Sequence, residues 1–243
     1  MTTKTKAIAL HYIRYSETSV IAHLYTEQFG RMSLMVKGAL RPKSKFKAIL
    51  FEPFTLLDIE LSHSSPNQAL RLPREVRLAP VLHNLRQDVR KTTLALFLSE
   101  LVYRCVREEQ SDPALFSFLF HAIQILDVLP DGIAVFHIWF GFHLAEYLGF
   151  APTQNYSDTN RYFNIQTGGF EANIPIHTDY LNEQESKYLS IYLSVSPDEL
   201  HLNIPKANIR NRLIEALLLY FQRHHEGVGN LNSLAILKEL FHT

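Results

Sequence analysis

Thr55-Leu56-Leu57-Asp58-Ile59-Glu60-Leu61 is the stretch whose reading decides the fold of the first third of this chain. On an extended backbone Leu57, Ile59 and Leu61 face one way, and Asp58 and Glu60 face the other. That period of two marks a strand with one buried face. Outward from it, the same alternation predicts five strands, over about residues 5–15, 19–26, 31–37, 53–62 and 69–79. Gln28-Phe29-Gly30 reads as a tight turn between the second and third, with Gly30 suited to positive φ. His63-Ser64-Ser65-Pro66-Asn67-Gln68 reads as a polar loop between the fourth and fifth. Five short strands in about 75 residues favour closure into a small barrel, because closure removes exposed strand edges. The longer link, residues 38–52, falls between strands three and four, where an OB-fold barrel has its extra segment. A five-stranded OB-fold β-barrel over residues 1–80 is the expected first domain.

Beyond residue 80 the period becomes helical. Leu94, Leu98, Leu101, Val102 and Cys105 recur at spacings of three and four within 84–109. Asp112-Pro113 is a helix start, with Asp112 as N-cap and Pro113 at the first helical position. That helix runs to about Pro130, and Asp131 is placed to cap the next, which stops at Gly149. Asn182 with Glu185 forms a capping-box pattern for a helix over 183–194. Ser196-Pro197 opens a short one, and further helices are expected over 206–225 and 232–242. Residues 151–181 break the pattern with Ala151-Pro152, Gly168-Gly169 and Pro175, and read as a loop-rich insert carrying a hairpin that turns at Gly168-Gly169. The expected architecture is α+β and multidomain: a barrel over 1–80, then an all-α domain over 81–243 interrupted by the insert.

The formal net charge is zero, but it is divided unevenly. Residues 1–80 carry 12 Lys and Arg against 6 Asp and Glu, and residues 81–243 carry 12 against 18. A basic module attracts phosphates and an acidic one does not, so two modules with different partners are expected. No apolar run approaches the ~18 residues of a membrane span, and the run Ala7–Leu10 is too short for a signal peptide. The single cysteine, Cys105, excludes an internal disulfide and any all-cysteine zinc site, and its apolar surroundings predict an inert buried thiol. These features predict a cytoplasmic protein without a membrane partner.

No catalytic constellation emerges. Gly227-Val228-Gly229 lacks the third glycine and the Lys-Ser/Thr of a phosphate-binding loop, and no His-Glu-x-x-His or Gly-x-Ser-x-Gly is present. His137 and His143 lie six apart on an apolar helix and read as core or boundary residues. His224-His225 point apart, at what reads as a solvated helix end. No catalytic residue and no enzyme activity are expected.

The strongest local signal is Lys37-Gly38-Ala39-Leu40-Arg41-Pro42-Lys43-Ser44-Lys45-Phe46-Lys47, with five cations in eleven residues. Gly38 and Pro42 keep it irregular, so its charges can follow a phosphate track. The alternative is a flexible solubilising loop. Arg71, Arg74 and Arg77 on the last strand and Arg14 and Arg31 beside the early turns add to the basic set. Tyr12, Tyr15, Tyr25, Phe29 and Phe46 interleave with the cations, and such rings either stack on bases or fill the small core. The candidate DNA-binding residues are therefore Arg14, Arg31, Lys37, Arg41, Lys43, Lys45, Lys47, Arg71, Arg74 and Arg77.

Tyr15-Ser16-Glu17-Thr18-Ser19-Val20, Tyr25-Thr26-Glu27-Gln28-Phe29-Gly30-Arg31 and Val36-Lys37-Gly38-Ala39-x-Arg41-Pro42-Lys43-Ser44 together resemble the N-terminal signature of the RecO family of bacterial recombination mediators. Phe51-Glu52-Pro53-Phe54-Thr55-Leu56-Leu57 fits the same pattern. Tyr147-Leu148-Gly149-Phe150-Ala151-Pro152 is similar to the family's segment ahead of its metal module, and Gly168-Gly169 to paired glycines within it. The resemblance implies an OB-fold and a helical domain, binding to single- and double-stranded DNA, and annealing of complementary strands. It also implies cooperation with RecR and docking on the acidic C-terminal tail of single-strand-binding protein, so that RecA is loaded on coated DNA. No cofactor is implied for the chemistry, and nucleoid association follows from the DNA partner. Many relatives carry four cysteines in the metal module. Residues 153–180 here contain none, so the family zinc site is expected to be lost. Asp158, His177 and Asp179 are too irregularly spaced to replace it. The tail-docking cations are left open among Arg104, Arg107, Arg210 and Arg212, each also read as an ordinary surface or ion-pairing arginine. Two alternatives remain open on the residues alone: a barrel that serves as a protein-interaction scaffold or an RNA-binding adaptor without annealing activity, and a hydrolase lacking any familiar constellation.

Overall fold

In the computed structural model, which describes residues 3–62, 70–107 and 110–241, the alternating segments form strands and the remainder is mainly helical. Strands β1 (Thr3–Arg14), β2 (Val20–Thr26), β3 (Gly30–Val36) and β4 (Leu56–Leu61) occupy nearly the expected positions. The fifth expected strand is instead two pieces, β5 (Leu70–Arg71) and β6 (Pro73–Leu78), so six strands replace the expected five. The physical reason is Pro73: it has no backbone N–H and cannot continue a ladder as a donor. The loop expected over His63–Gln68 lies outside the described residues.

The sheet order is β5-β3-β2-β1-β4-β6. β5 pairs parallel with β3, while β6 pairs antiparallel with β4. The segment Leu70–Leu78 thus engages both outer strands, and the sheet is curled. β1 makes this possible by pairing with β4 through Thr3–Ile8 and with β2 through Ala7–Arg14, with a register shift between Ala9 and His11. Such a bulge bends a strand and adds twist. The interior holds Ala7, Ala9 and Ala22 against Leu24, Leu34, Phe51, Leu57 and Ile59, small against large, as a narrow curled sheet requires. Leu57, Ile59 and Leu61 are buried and Asp58 is exposed, as the alternation predicts.

Two compact units divide the chain: residues 1–88 with 99–127, and residues 89–98 with 128–243. This division does not follow the change of pattern near residue 80. Helix α1 (Val89–Cys105) contributes to both units, and α2 (Pro113–Val128) lies with the strands up to Asp127. In the first unit, Leu115 N–H donates to Asp112 Oδ1 (3.0 Å), the expected cap, and Tyr25 packs 6.2 Å from Phe116. Asp127 is buried and accepts from the backbone N–H groups of His83, Asn84 and Leu85. At Gly30 (φ +62) a Cβ would meet the Gln110 carbonyl oxygen at 2.2 Å, so backbone approach as well as the turn requires glycine there.

In the second unit, α3 (Ile133–Tyr147) is capped by Gly132 in the left-handed region, without a side-chain cap, and not by Asp131. Gly149 (φ +85) ends that helix, as expected. The insert holds β7 (Tyr162–Asn164), β8 (Gly169–Glu171) and β9 (Tyr180–Leu181), with β7 central. The β7–β8 hairpin turns over residues 165–168, so Gly168 lies in the turn while Gly169 already belongs to β8, and β9 adds a third strand not expected from the pattern. Helix α4 (Glu183–Tyr192) has the full Asn182/Glu185 capping box. Ser196-Pro197 opens a 3-10 helix (Pro197–Asn203), followed by α5 (Ala207–His224) and α6 (Leu234–Phe241). His224 is not solvated as expected: it packs 4.2 Å from the Tyr220 ring and hydrogen-bonds the Ile165 carbonyl. No helix among the described residues is long and apolar enough to cross a membrane.

Candidate nucleic-acid interface

The register of the first three strands gathers one set of cations at one end of the sheet. Arg14 pairs with Val20, and Val20 with Val36, so Arg14 and Lys37 lie at the same end. The loop after β3 is not free chain. Gly38 N–H donates to Ser19 Oγ (3.4 Å) and Leu40 N–H to the Thr18 carbonyl (3.0 Å), which ties the loop to the β1–β2 turn. Successive turns follow, from Arg41 N–H to the Gly38 carbonyl and from Ser44 N–H to the Arg41 carbonyl. Ala39 and Ala48 are buried in the core and bonded to one another through their backbones. A loop pinned at both ends presents its charges in a defined place at little further ordering cost.

The ten predicted residues separate into three groups. Lys37, Arg41, Lys43 and Lys47 are exposed and make no ion pair among the described residues. Lys45 lies in the same loop, but its ammonium donates to the Arg74 carbonyl (3.0 Å) and sits 4.9 Å from the Phe46 ring. Arg14 is exposed and donates to the Ser16 and Glu17 carbonyls, so it stiffens the β1–β2 turn.

The remaining four are occupied elsewhere. Arg31 donates to the carbonyls of Tyr103 and Val106 (3.2 Å each) and stacks 3.9 Å over Tyr103, capping the end of α1. Arg71 covers the Phe29 ring at 4.8 Å. Arg74 pairs with Glu60 (3.3 Å), and both Nε and Nη2 of Arg77 donate to Glu75 Oε1 (3.0 and 2.8 Å). The outer face of β1, β4 and β6 mixes both signs, with Lys4 opposite Glu60, Asp58 between Lys6 and Arg77, and Glu60 opposite Glu75. A pocket of about 350 Å3 on this face, lined by Lys4, Lys6, Glu27, Asp58, Glu60, Glu75 and Arg77, has the same mixed character.

Two histidines near Arg31 add no charge to the interface. His11 stacks on His23 at 4.6 Å and meets Tyr103 edge-on. Burial first, then His23 and Arg31, push the His11 pKa down to about 4, and burial and Arg31 lower that of His23. At neutral pH His11 is uncharged. Cys105 is buried, and desolvation pushes its thiol up to about 12, which matches an inert thiol.

The roles of Asp127 and of Arg31 as a helix cap were not legible in sequence. The one available signal for Asp127 was a lone carboxylate in an otherwise apolar helix. Among the arginines considered for peptide docking, Arg104 lies 3.8 Å from Glu100, and Arg212 pairs with Glu185 and Glu215. Arg210 donates to the Pro205 and Phe241 carbonyls. Arg107 is exposed.

The insert does not fit a zinc ion. Asn155 occupies the region expected to hold the first ligands, and its carboxamide both donates to the Phe170 carbonyl and accepts from the Phe170 N–H. Asp179 is held by Gln166 and Arg223 (2.6 Å), and these bonds lower its carboxyl pKa. No three His, Cys, Asp or Glu side chains among the described residues converge on a common point. Phe163, Phe170 and Leu181 are buried instead, with Phe163 and Phe170 5.1 Å apart.

Comparison with known proteins accounts for nearly the whole chain. Residues 1–78 match the family model described as "Recombination protein O N terminal", and residues 86–235 match "Recombination protein O C terminal". The chain is 32% identical to the DNA repair protein RecO of Bacteroides fragilis, covering 99% of this chain and 100% of that one. It is 33% identical to that of Flavobacterium psychrophilum, at the same coverage. The counterpart in Azobacteroides pseudotrichonymphae is 28% identical over 98% of each chain.

Proposed function

This chain belongs to the RecO family, and we propose that it is a DNA-binding mediator of recombinational repair and not an enzyme. One observation carries the reading to particular residues: Lys37, Arg41, Lys43 and Lys47 have no carboxylate partner among the described residues and stand on a loop locked to one end of the sheet. Such a cluster neutralises phosphates and releases condensed counterions. Applied to two strands, it screens the repulsion that keeps complementary backbones apart, a repulsion set by roughly one charge per 1.7 Å of duplex. Binding of single- and double-stranded DNA and annealing follow. The net-acidic remainder of the chain is suited to protein contacts with RecR and with the tail of single-strand-binding protein, and so indirectly to RecA loading on the nucleoid.

The curled sheet is best understood as an OB barrel whose last strand is kinked at Pro73. The parallel β3–β5 pairing beside the antiparallel β4–β6 pairing supports this. The insert needs no metal in this reading. Incubation with a strong chelator is therefore expected to leave the thermal unfolding midpoint unchanged. A drop of several degrees, reversed by zinc, would show that a structural ion had been overlooked.

The test of function is annealing of complementary oligonucleotides, bare and coated with single-strand-binding protein. The chain is expected to accelerate annealing of bare strands. Strands coated with the intact protein should also be accelerated, but not strands coated with a form lacking its acidic tail. Failure to bind bare oligonucleotides at either of two salt concentrations would overturn the reading and favour a protein scaffold or an RNA adaptor.

A further inference from the structure

The five rings that interleave with the cations do not share one fate. Tyr25 is 1% exposed and is buried beside Phe116. Tyr12, Phe29 and Phe46 pack against the barrel core, and Arg71 and Lys45 cover the rings of Phe29 and Phe46. Tyr15 differs: it is 61% exposed, and no ring or cation among the described residues lies against it. The turn that carries it is extensively hydrogen-bonded. Tyr15 N–H donates to the Ser19 carbonyl (2.9 Å), Ser19 N–H donates to Ser16 Oγ (3.2 Å), and the Arg14 guanidinium spans the turn to Ser16 and Glu17. The same turn accepts the bonds from Gly38 and Leu40, and those two residues lie between Lys37 and Arg41 in the chain. An open ring on a hydrogen-bonded turn is therefore tied directly to the segment carrying the cations that have no ion pair among the described residues.

That juxtaposition has a consequence for the strand that binds. In a duplex both faces of each interior base are already covered by stacked neighbours, so the ring gains nothing from it. An unpaired strand whose phosphates lie along the cations can offer a base face to the ring. We propose that Tyr15 is the base-stacking residue of this interface and gives it a preference for unpaired over paired DNA. This rests on the DNA-binding reading above and adds the class of strand preferred.

The test compares the full-length protein with Tyr15→Ala and Tyr15→Phe, using fluorescence anisotropy with a short oligothymidylate and with a duplex of equal length. Tyr15→Ala is expected to weaken single-strand binding by roughly fivefold or more and to leave duplex binding unchanged. Tyr15→Phe should retain wild-type affinity, because the π-face and not the hydroxyl makes the contact. Irradiation of an oligonucleotide carrying 5-iodouracil should crosslink at Tyr15. Equal losses on both DNAs, no loss on either, or a Tyr15→Phe variant as weak as the alanine would each overturn the proposal. A loop variant with alanine at Lys37, Arg41, Lys43 and Lys47 is measured alongside. If that variant loses binding and Tyr15→Ala does not, the stacking role fails and the interface stands. If neither loses binding, the interface itself is misplaced and the stacking role falls with it.

Discussion

Alanine at Lys37, Arg41, Lys43 and Lys47 together is expected to weaken single-stranded DNA binding by roughly a hundredfold near 0.15 M salt. Each phosphate contact contributes about 0.7 to the slope of log affinity against log salt for single strands, so four contacts contribute about three. Taken from about 1 M salt, where counterion release no longer contributes, down to about 0.15 M, that slope amounts to roughly two decades. For duplex the slope should fall by nearer four, since each contact counts for about 0.9. Anisotropy titrations at several salt concentrations measure both quantities. The slope is the more diagnostic, because a misfolded variant loses affinity without a defined change in slope. An unchanged slope would remove this loop from the interface. Arg77→Ala serves as the control: its guanidinium is already bound to Glu75, so its loss should change the slope little.

Asp127→Ala is expected to cost about 3–4 kcal/mol of stability. The carboxylate is buried and accepts from three backbone N–H groups, at 3.1 Å from His83, 2.8 Å from Asn84 and 2.6 Å from Leu85. Bonds to an ionised acceptor are worth about 1.5–3 kcal/mol each, and part of that returns where water reaches the freed donors. His83 and Asn84 are exposed and can recover in this way, whereas Leu85 is buried. The substitution also releases the segment after β6 from α2 within the first unit. Asp127→Asn retains an acceptor oxygen but turns an amide toward one of the donors, so an intermediate loss is expected. Urea unfolding monitored by circular dichroism measures the difference. A loss below about 1 kcal/mol would mean that the three bonds are replaced by water at little cost.

These two sites differ in how far they could be foreseen. The Lys37–Lys47 loop was visible because charge density and chain-breaking residues are local properties of sequence. Its Lys45 could not be told apart from its neighbours, since the bond to the Arg74 carbonyl joins residues 29 apart. Arg31 looked like a further phosphate contact, but its partners Tyr103 and Val106 lie more than seventy residues away. Asp127 was legible only as an oddity, because its three donors lie about forty residues earlier in the chain. Arg74 and Arg77 read as free cations until cross-strand and same-face neighbours placed Glu60 and Glu75 beside them.

The sequence by itself determined where β1 to β4 and the helices lie, where most of them stop, and that the basic residues concentrate in the first third. Those properties depend on periodicity, caps and composition, which act over a few residues. Its family signature likewise survives in order and spacing from Tyr15 to Ser44. Only the tertiary structure decided which cations remain unpaired and which ring remains uncovered among the described residues. It also divided the last strand at Pro73 between two partners and joined α2 to the strand unit. Pairing and burial depend on residues brought together from distant parts of the chain, and no local pattern records them.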